Sequence, residues 1–581
     1  MKVAFEVRRL ASWGMVPLAL SSTLTWGCES EVPEMPPLRT AAEAEQAEMG
    51  SGPAPVLVES FDGLGIGFLG PHGPANGRNP SDNSLAVGPD HILQTVNSRL
   101  TVFSRKGERF DTTGAVLYGA VPTNTVFHGF GGVCESTNNG DAVVRYDQLA
   151  GRWLLVMPIF RRGETRPDQP TLWVAADSVY LSPPGISGQP GPAAPLFVPE
   201  PWIPPDSAEL EAERRRRMEA RRGERPPEPG GVYSMCYAIS TTADPMGSWY
   251  RYEFLRPLFP DYPRPAVWPD GYYVPTSTGD HVIQKHACVV ERDRMLAGEP
   301  AREQCFILDG VAFLNNADVD GMASPPPGSP NIMMATGGAQ LDSVFADSVI
   351  FHWQYHVDWE YPGRSRITGP DPVPVAPYEF LCDGQLTNCV PQPGTDRRLD
   401  SQGDKLMSRL VYRRRGNQES VMAVHSIATT SGGGGVRWYE FRVDPDRSVH
   451  LRQQGTFASD GLFRWMASPA MDRFGNIGIG YSFGGPDQFP GQRFAGRLAE
   501  DPLGSLTLSE AILAEGGASQ TTTLRWEDYT TTAIDPRDDC TIWYVGDYLM
   551  EGAEQYSTRI GAFRMPGCGR QDLGAEGSDD Q

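Results

Sequence analysis

The chain has 581 residues, a formal net charge of −22 at neutral pH, 64 glycines, 52 prolines and nine cysteines. So acidic a composition disfavours nucleic acid and anionic lipid as general partners, and so many turn residues exclude a fold built on long helices. The length is ample for a core but long for one ordinary domain. That points to repeated units, each burying its apolar face against the next.

In chain order, residues 1–27 read as an export signal. Lys2, Arg8 and Arg9 supply positive charge, and the apolar run from Leu10 to Leu24 is interrupted by Gly14 and Pro17. Such a run is too short to make a comfortable bilayer span. It closes on Leu24-Thr25-Trp26-Gly27-Cys28, which resembles a bacterial lipobox with Trp26 in place of the usual small residue. The resemblance implies a lipid on Cys28 and an anchor in the cell envelope. The alternative is an ordinary cleaved signal that leaves a secreted protein. Residues 28–53, rich in Glu, Ala and Pro, are expected to form a flexible tether, because they hold too little apolar surface to offset the ordering entropy. Residues 569–581 are expected to be a disordered tail.

The body, residues 54–568, repeats one phrase. Ser84-Leu85-Ala86-Val87-Gly88-Pro89-Asp90-His91-Ile92 is matched by Ser468 to Ile477 and again by Thr531 to Ile542. Each is a short strand of small residues, a tight Gly/Pro/Asp turn and a more apolar strand, which is a hairpin signature. Counting first strands puts unit starts near residues 84, 142, 266, 331, 406, 466 and 530, mostly about sixty to seventy residues apart, a little longer than typical blade repeats. The long step is explained by an insertion, residues 161–231, with Pro-rich loops and a charged helix around Arg214–Arg217. In the 406 unit four strands are legible: Leu406–Tyr412, Ser420–Ser426, Val436–Val443 and Ser448–Phe457. The predicted fold class is therefore all-β, a β-propeller of seven four-stranded blades, with six or eight also compatible. Val56–Phe61 is expected to complete the last unit and close the ring, which removes two sheet edges. A pair of β-sandwiches would leave the period unexplained.

Apart from Cys28, eight cysteines remain. In an exported chain they are expected to form disulfides, and spacing favours Cys288 with Cys305, Cys382 with Cys389 and Cys540 with Cys568, leaving Cys134 with Cys236. No CxxC spacing or matching histidine pair favours zinc.

In a propeller, residues just before each first strand crowd round one mouth of the channel. Asp82, Asp141, Asp404 and Asp528 hold such positions, as do Asp261 with Arg264, and Arg464 with Trp465. The expected ligand-binding residues are Asp82, Asp141, Arg464, Trp465, Glu527 and Asp528. A ring of carboxylates suits Ca²⁺, with Asp82, Asp141 and Asp404 as ligands. It also suits two-carboxylate sugar hydrolysis, with Asp404 and Asp528 as the candidate catalytic pair. Turn-capping, in which the Asp side chain bonds backbone N–H groups, is the commoner reason for Asp at these positions.

The run Ser81-Asp82-Asn83-Ser84-Leu85-Ala86-Val87-Gly88-Pro89, the pair Arg152-Trp153 and Arg525-Trp526-Glu527-Asp528-Tyr529 resemble segments of exported bacterial propeller proteins of sialidase-like fold. The resemblance spans most of Val56 to Cys568 and implies location and fold, without a chemistry. The Asp-box and arginine triad of true sialidases are not recognisable here. The expectation is a monomeric, exported, lipid-anchored envelope propeller that binds a glycan or protein ligand and touches the membrane only through its lipid. The alternative is an extracellular glycoside hydrolase.

Overall fold

Short runs of β-branched and aromatic residues, punctuated by Gly, Pro and Asp turns, fold as antiparallel meanders. The computed structural model describes residues 36–46, 48–75, 79–163, 180–181, 189–203, 230–256, 258–277, 284–309, 313–336, 348–384, 388–458 and 460–568. Residues 1–35 with Cys28, the expected charged helix and the tail 569–581 lie outside them.

The protein is all-β with a propeller arrangement. Four blades stand as separate sheets, where seven were expected. One is Ser84–Val87, His91–Val96, Arg99–Ser104 and Val116–Pro122, each strand paired with the next. A second runs from Val143–Asp147 through Arg152–Ile159 and Tyr233–Ser240 to Ser248–Arg256, and a third from Ala266–Trp268 to Glu303–Asp309. These two have five and six strands rather than four: the insertion adds Gly191–Pro195 to one and Tyr180–Leu181 to the other, where Thr276–Ser277 also pairs as a separate short strand with Gln284–Val290. The fourth takes Thr531–Ile534, Ile542–Tyr548 and Ser557–Arg564 from the C-terminal end. Its outer strand is Val56–Asp62, with Val56 opposite Arg564 and Asp62 opposite Arg559.

The meanders that begin at Asn315, Leu410 and Phe463 are bonded into one 12-stranded sheet. Two first strands lie so close near the axis that Ala317–Asp320 pairs in parallel with Leu410–Arg413, and Gly434, which opens the third strand of the Leu410 meander, bridges in parallel to Phe463. The unit expected to start at residue 331 starts instead at Asn315, and Asn331–Ala335 is its second strand. Asn315-Asn316-Ala317-Asp318-Val319-Asp320 is too polar to read as a buried strand, yet all six residues are buried.

Interstrand cores link neighbours in chain order. Ala86, Leu93, Trp153 and Cys236 share one cluster, and Leu154, Tyr237, Tyr272 and Val290 share the next. Phe494 and Leu513 meet Tyr544 and Phe563, and Trp543 with Ala562 meets Leu85 and Ile92, closing the circle. A strand covered on both faces needs no polar alternation, and Tyr233–Ser240 is buried throughout. The packing is tight: a Cβ on Gly88 would lie 2.4 Å from the Trp153 ring. The four disulfides are the expected ones, Cys134–Cys236, Cys288–Cys305, Cys382–Cys389 and Cys540–Cys568.

The described part of the expected tether is docked, not free. The Gln46 amide N–H donates to Thr456 O (2.9 Å), its side chain exchanges bonds with the Leu506 backbone (3.0 and 2.9 Å), and Gly52 N–H donates to Thr507 O (2.9 Å). Thr40 and Glu43 form a capping box on the short helix Ala41–Ala44. Backbone pairing, which a count of apolar residues does not register, holds this segment to the body.

Candidate functional site

One geometry recurs where each meander begins. Asp82, Asp141, Tyr262, Phe313, Gln402, Met466 and Asp528 all have φ between 43° and 81°. Asp tolerates this left-handed conformation because its short side chain bonds locally. Met466 lies inside Phe463–Met471, whereas the others precede their strands.

Below these turns the first strands press together and the axis is sealed. Arg409 Nε donates to Asp318 Oδ2 (2.8 Å), its Nη1 to Thr532 O (3.1 Å) and its Nη2 to Asp320. Arg145 pairs with the same Asp318 at 3.2 Å. The cavity left beside them is about 30 Å³, room for one or two waters.

At the mouth, Asp82, Asp141 and Asp261 form a chain of carboxyl contacts, Asp82 to Asp141 and Asp141 to Asp261. Asp82 is buried and receives Asn97 Nδ2 at 2.5 Å, while its backbone N–H donates to Glu527 O (2.8 Å). Gly140, where φ is +116°, leaves room for Asn97: a Cβ there would fall 2.9 Å from Asn97 Oδ1. Burial, then the charges of Asp141 and Asp528, pushes Asp82 well above the usual carboxylate range. Burial and then Asp261 do the same to Asp141, and burial raises Asp261.

The opposite side is charge-balanced. Asp528 accepts from Gln402 Nε2 (2.7 Å) and from Arg525, which also pairs with buried Asp400 at 2.8 Å. Burial and then Asp528 push Asp400 up to about 7. Lys405 pairs with Asp404 (3.2 Å), donates to Gln402 and lies 3.8 Å from the centroid of the Phe313 ring. Lys285 and Lys405, two of the chain's four lysines, are buried here. Burial lowers both, Lys285 to about 8. Tyr262 donates its hydroxyl to Asp528 O and meets Tyr529 edge-on at 5.2 Å. Tyr529 is 2% exposed, and its hydroxyl has no hydrogen-bond partner among the described residues; nor has Asp82 Oδ1.

Of the residues expected to gather, Asp82, Asp141 and Asp528 do so, with Asp261 beside them. Asp404 faces Lys405 instead, because its strand begins only at Leu410. Among the described residues the only three His, Cys, Asp or Glu ligand atoms mutually within 4.8 Å are those of Cys288, Glu303 and Cys305, two of which are a disulfide. The expected Ca²⁺ set Asp82, Asp141 and Asp404 is thus not assembled.

Arg464 and Trp465 are also placed elsewhere. Arg464 pairs with Asp460 (2.7 Å) and Glu510 (3.2 Å), and Trp465 is wholly buried, 6.1 Å from Trp526. Their strand starts at Phe463, so both are already within the sheet. Glu527 points the other way from Asp528. It accepts from Ser482 Oγ (3.0 Å), Gln492 Nε2 (3.2 Å) and the Asp547 backbone (2.7 Å). Sequence reasoning missed Asn97, Gln402, Lys405 and Phe313. Only Lys405, next to Asp404 in a chain poor in lysine, carried a signal.

No family model and no curated protein matches the chain. Among solved structures it is similar to a protein of unknown function from Dyadobacter fermentans, at 11% identity and a TM-score of 0.31, over 88% of this chain and 100% of that one. It is also similar to the intramolecular trans-sialidase of Ruminococcus gnavus in complex with oseltamivir carboxylate. There the identity is 10% and the TM-score 0.32, over 69% of this chain and 89% of that one.

Proposed function

We propose that this chain is an exported β-propeller that binds a glycan at its acidic mouth. The observation that carries the reading is the unmet hydrogen-bonding capacity there: among the described residues the buried Tyr529 hydroxyl and Asp82 Oδ1 lack partners, beside carboxyls pushed toward their protonated form. A buried polar group without a partner costs about 1–3 kcal/mol. Sugar hydroxyls, which both donate and accept, would satisfy these groups together, and the partly exposed Arg525 side chain marks where the mouth meets solvent. The four disulfides are consistent with maturation outside the cytoplasm.

Two finer statements belong to this proposal. The 12-stranded sheet counts as three blades fused near the axis, which gives a ring of seven. Cys28 carries the lipid that holds the protein at the envelope, and mass spectrometry of the mature N-terminus tests this by finding a diacylated cysteine or an unmodified start elsewhere.

A glycan array probed with the full chain tests the function. Wild type should bind a defined group of glycans, and Tyr529→Phe and Asp141→Asn should weaken those signals together. An array without signal above background would reject a glycan ligand and leave a protein partner. Cleavage of array glycans by wild type but not by Asp528→Ala would make the site hydrolytic.

A further inference from the structure

Away from the mouth, a second place gathers chemistry between the second and third blades. Cys288 lies directly opposite Cys305 on the paired strands Gln284–Val290 and Glu303–Asp309, and the two are bridged. Arg256, at the end of the second blade, donates from Nη1 to Cys288 Sγ (2.6 Å) and from Nη2 to Tyr237 Oη (3.0 Å) and Glu303 Oε1 (2.7 Å). Arg256 and Glu303 are wholly buried, and a Glu303 carboxylate oxygen lies within 4.8 Å of both sulfurs. A guanidinium against a sulfur favours its thiolate, whereas apolar surroundings oppose one. Cys134–Cys236 is the contrast within the same molecule, packed among Leu93, Trp153 and Leu155.

We propose that Cys288–Cys305 is a redox site that small thiols open and close reversibly, with the freed Cys288 sulfur held as a thiolate by Arg256. One thiol, as its thiolate, attacks Cys305 and expels Cys288, whose departure the guanidinium eases. A second attacks the mixed disulfide and releases Cys305. The two thiols leave joined as a disulfide, having given up two electrons, which cleave the protein S–S bond, and two protons. One proton ends on Cys305. The other ends on Glu303, which burial pushes up to about 7 and whose Oε2 has no hydrogen-bond partner among the described residues. Both cysteines are 1% exposed, so exchange passes through a local opening. They sit toward the outer edge of the blade, where Glu303–Asp309 is flanked by the two-residue strand Tyr180–Leu181 alone.

The test equilibrates the full chain in glutathione buffers of graded reduced-to-oxidised ratio. Acid quenching, alkylation and peptide mass spectrometry then give the reduced fraction of each bridge, with the thermal transition as the check on folding. Cys288–Cys305 should open at ratios where Cys134–Cys236 stays closed and the protein stays folded. Arg256→Met should shift the equilibrium about tenfold toward the disulfide, about 30 mV for a two-electron couple. Glu303→Gln removes the carboxylate that competes for Arg256 and should shift it the other way, a pair of opposite signs that general destabilisation would not produce. If Arg256→Met does not fold, the direction of the Glu303→Gln shift decides alone. Opening of Cys288–Cys305 only together with Cys134–Cys236 as the fold is lost, or the same equilibrium in wild type and the folded variants, overturns the proposal.

Discussion

Arg409→Met removes the keystone of the axial seal while keeping most of its side-chain volume. Arg409 is 6% exposed and serves both Asp318 and Asp320, which are each 3% exposed. Without it Asp318 keeps Arg145 at 3.2 Å and the Val267 N–H at 2.8 Å, but Asp320 loses the partner of Oδ1, and Oδ2 already has none. An uncompensated buried charge of this kind costs about 3–5 kcal/mol. The loss should appear as a fall in the urea midpoint at unchanged slope, followed by tryptophan fluorescence. Adding Asp320→Asn removes the stranded charge, so the double variant should recover about 1–3 kcal/mol. A loss below about 1 kcal/mol, the range of exposed pairs, or no recovery in the double variant, would refute the axial seal.

Three further outcomes follow from the same geometry. The Cys134–Cys236 bridge spans 102 residues and Cys382–Cys389 spans 7; in the loop-entropy relation, removing the first should cost about 2 kcal/mol more than removing the second, measurable by calorimetry on the two Cys→Ala pairs. Burial pushes Asp547 up to about 7, above its unfolded value of about 4. The folded state then holds a proton that the unfolded chain has lost, so this stability is present below about pH 4 and lost as pH rises through about 7. The urea midpoint should be lower at pH 8 than at pH 5, and Asp547→Asn should flatten that slope. Finally, Gln46→Ala deletes the side-chain bonds to the Leu506 backbone, and hydrogen exchange at the Leu506 amide should speed up; unchanged exchange would mean that this segment is not docked in solution.

What was legible in the sequence follows physical rules that act locally. Hairpin phrases with Gly, Pro and Asp turns gave first strands within a few residues at Ser84, Val143, Ala266, Phe463 and Thr531, and strand Val56–Asp62 completes the last unit as expected. The strand Asn315–Asp320 was hidden because two of its side chains are the aspartates of the axial seal, and a buried polar strand has no hydrophobic pattern to read. At the site, carboxylates placed in a left-handed turn were found by position alone. Register decided the rest: Trp465 and Glu527 differ from true mouth residues by a residue or two, enough to turn them into the core. Contacts such as Asn97 to Asp82, or Lys405 over Phe313, join distant turns and leave no local trace.

The most direct test of the acidic mouth as the ligand site is the affinity of Tyr529→Phe for the best array glycan, measured by calorimetry beside wild type. Among the described residues the buried hydroxyl has no partner, so its removal should leave the thermal transition unchanged or higher while weakening binding about tenfold, the worth of about one hydrogen bond. Unchanged affinity in a normally folded Tyr529→Phe variant would contradict the account and move the ligand to another face of the propeller.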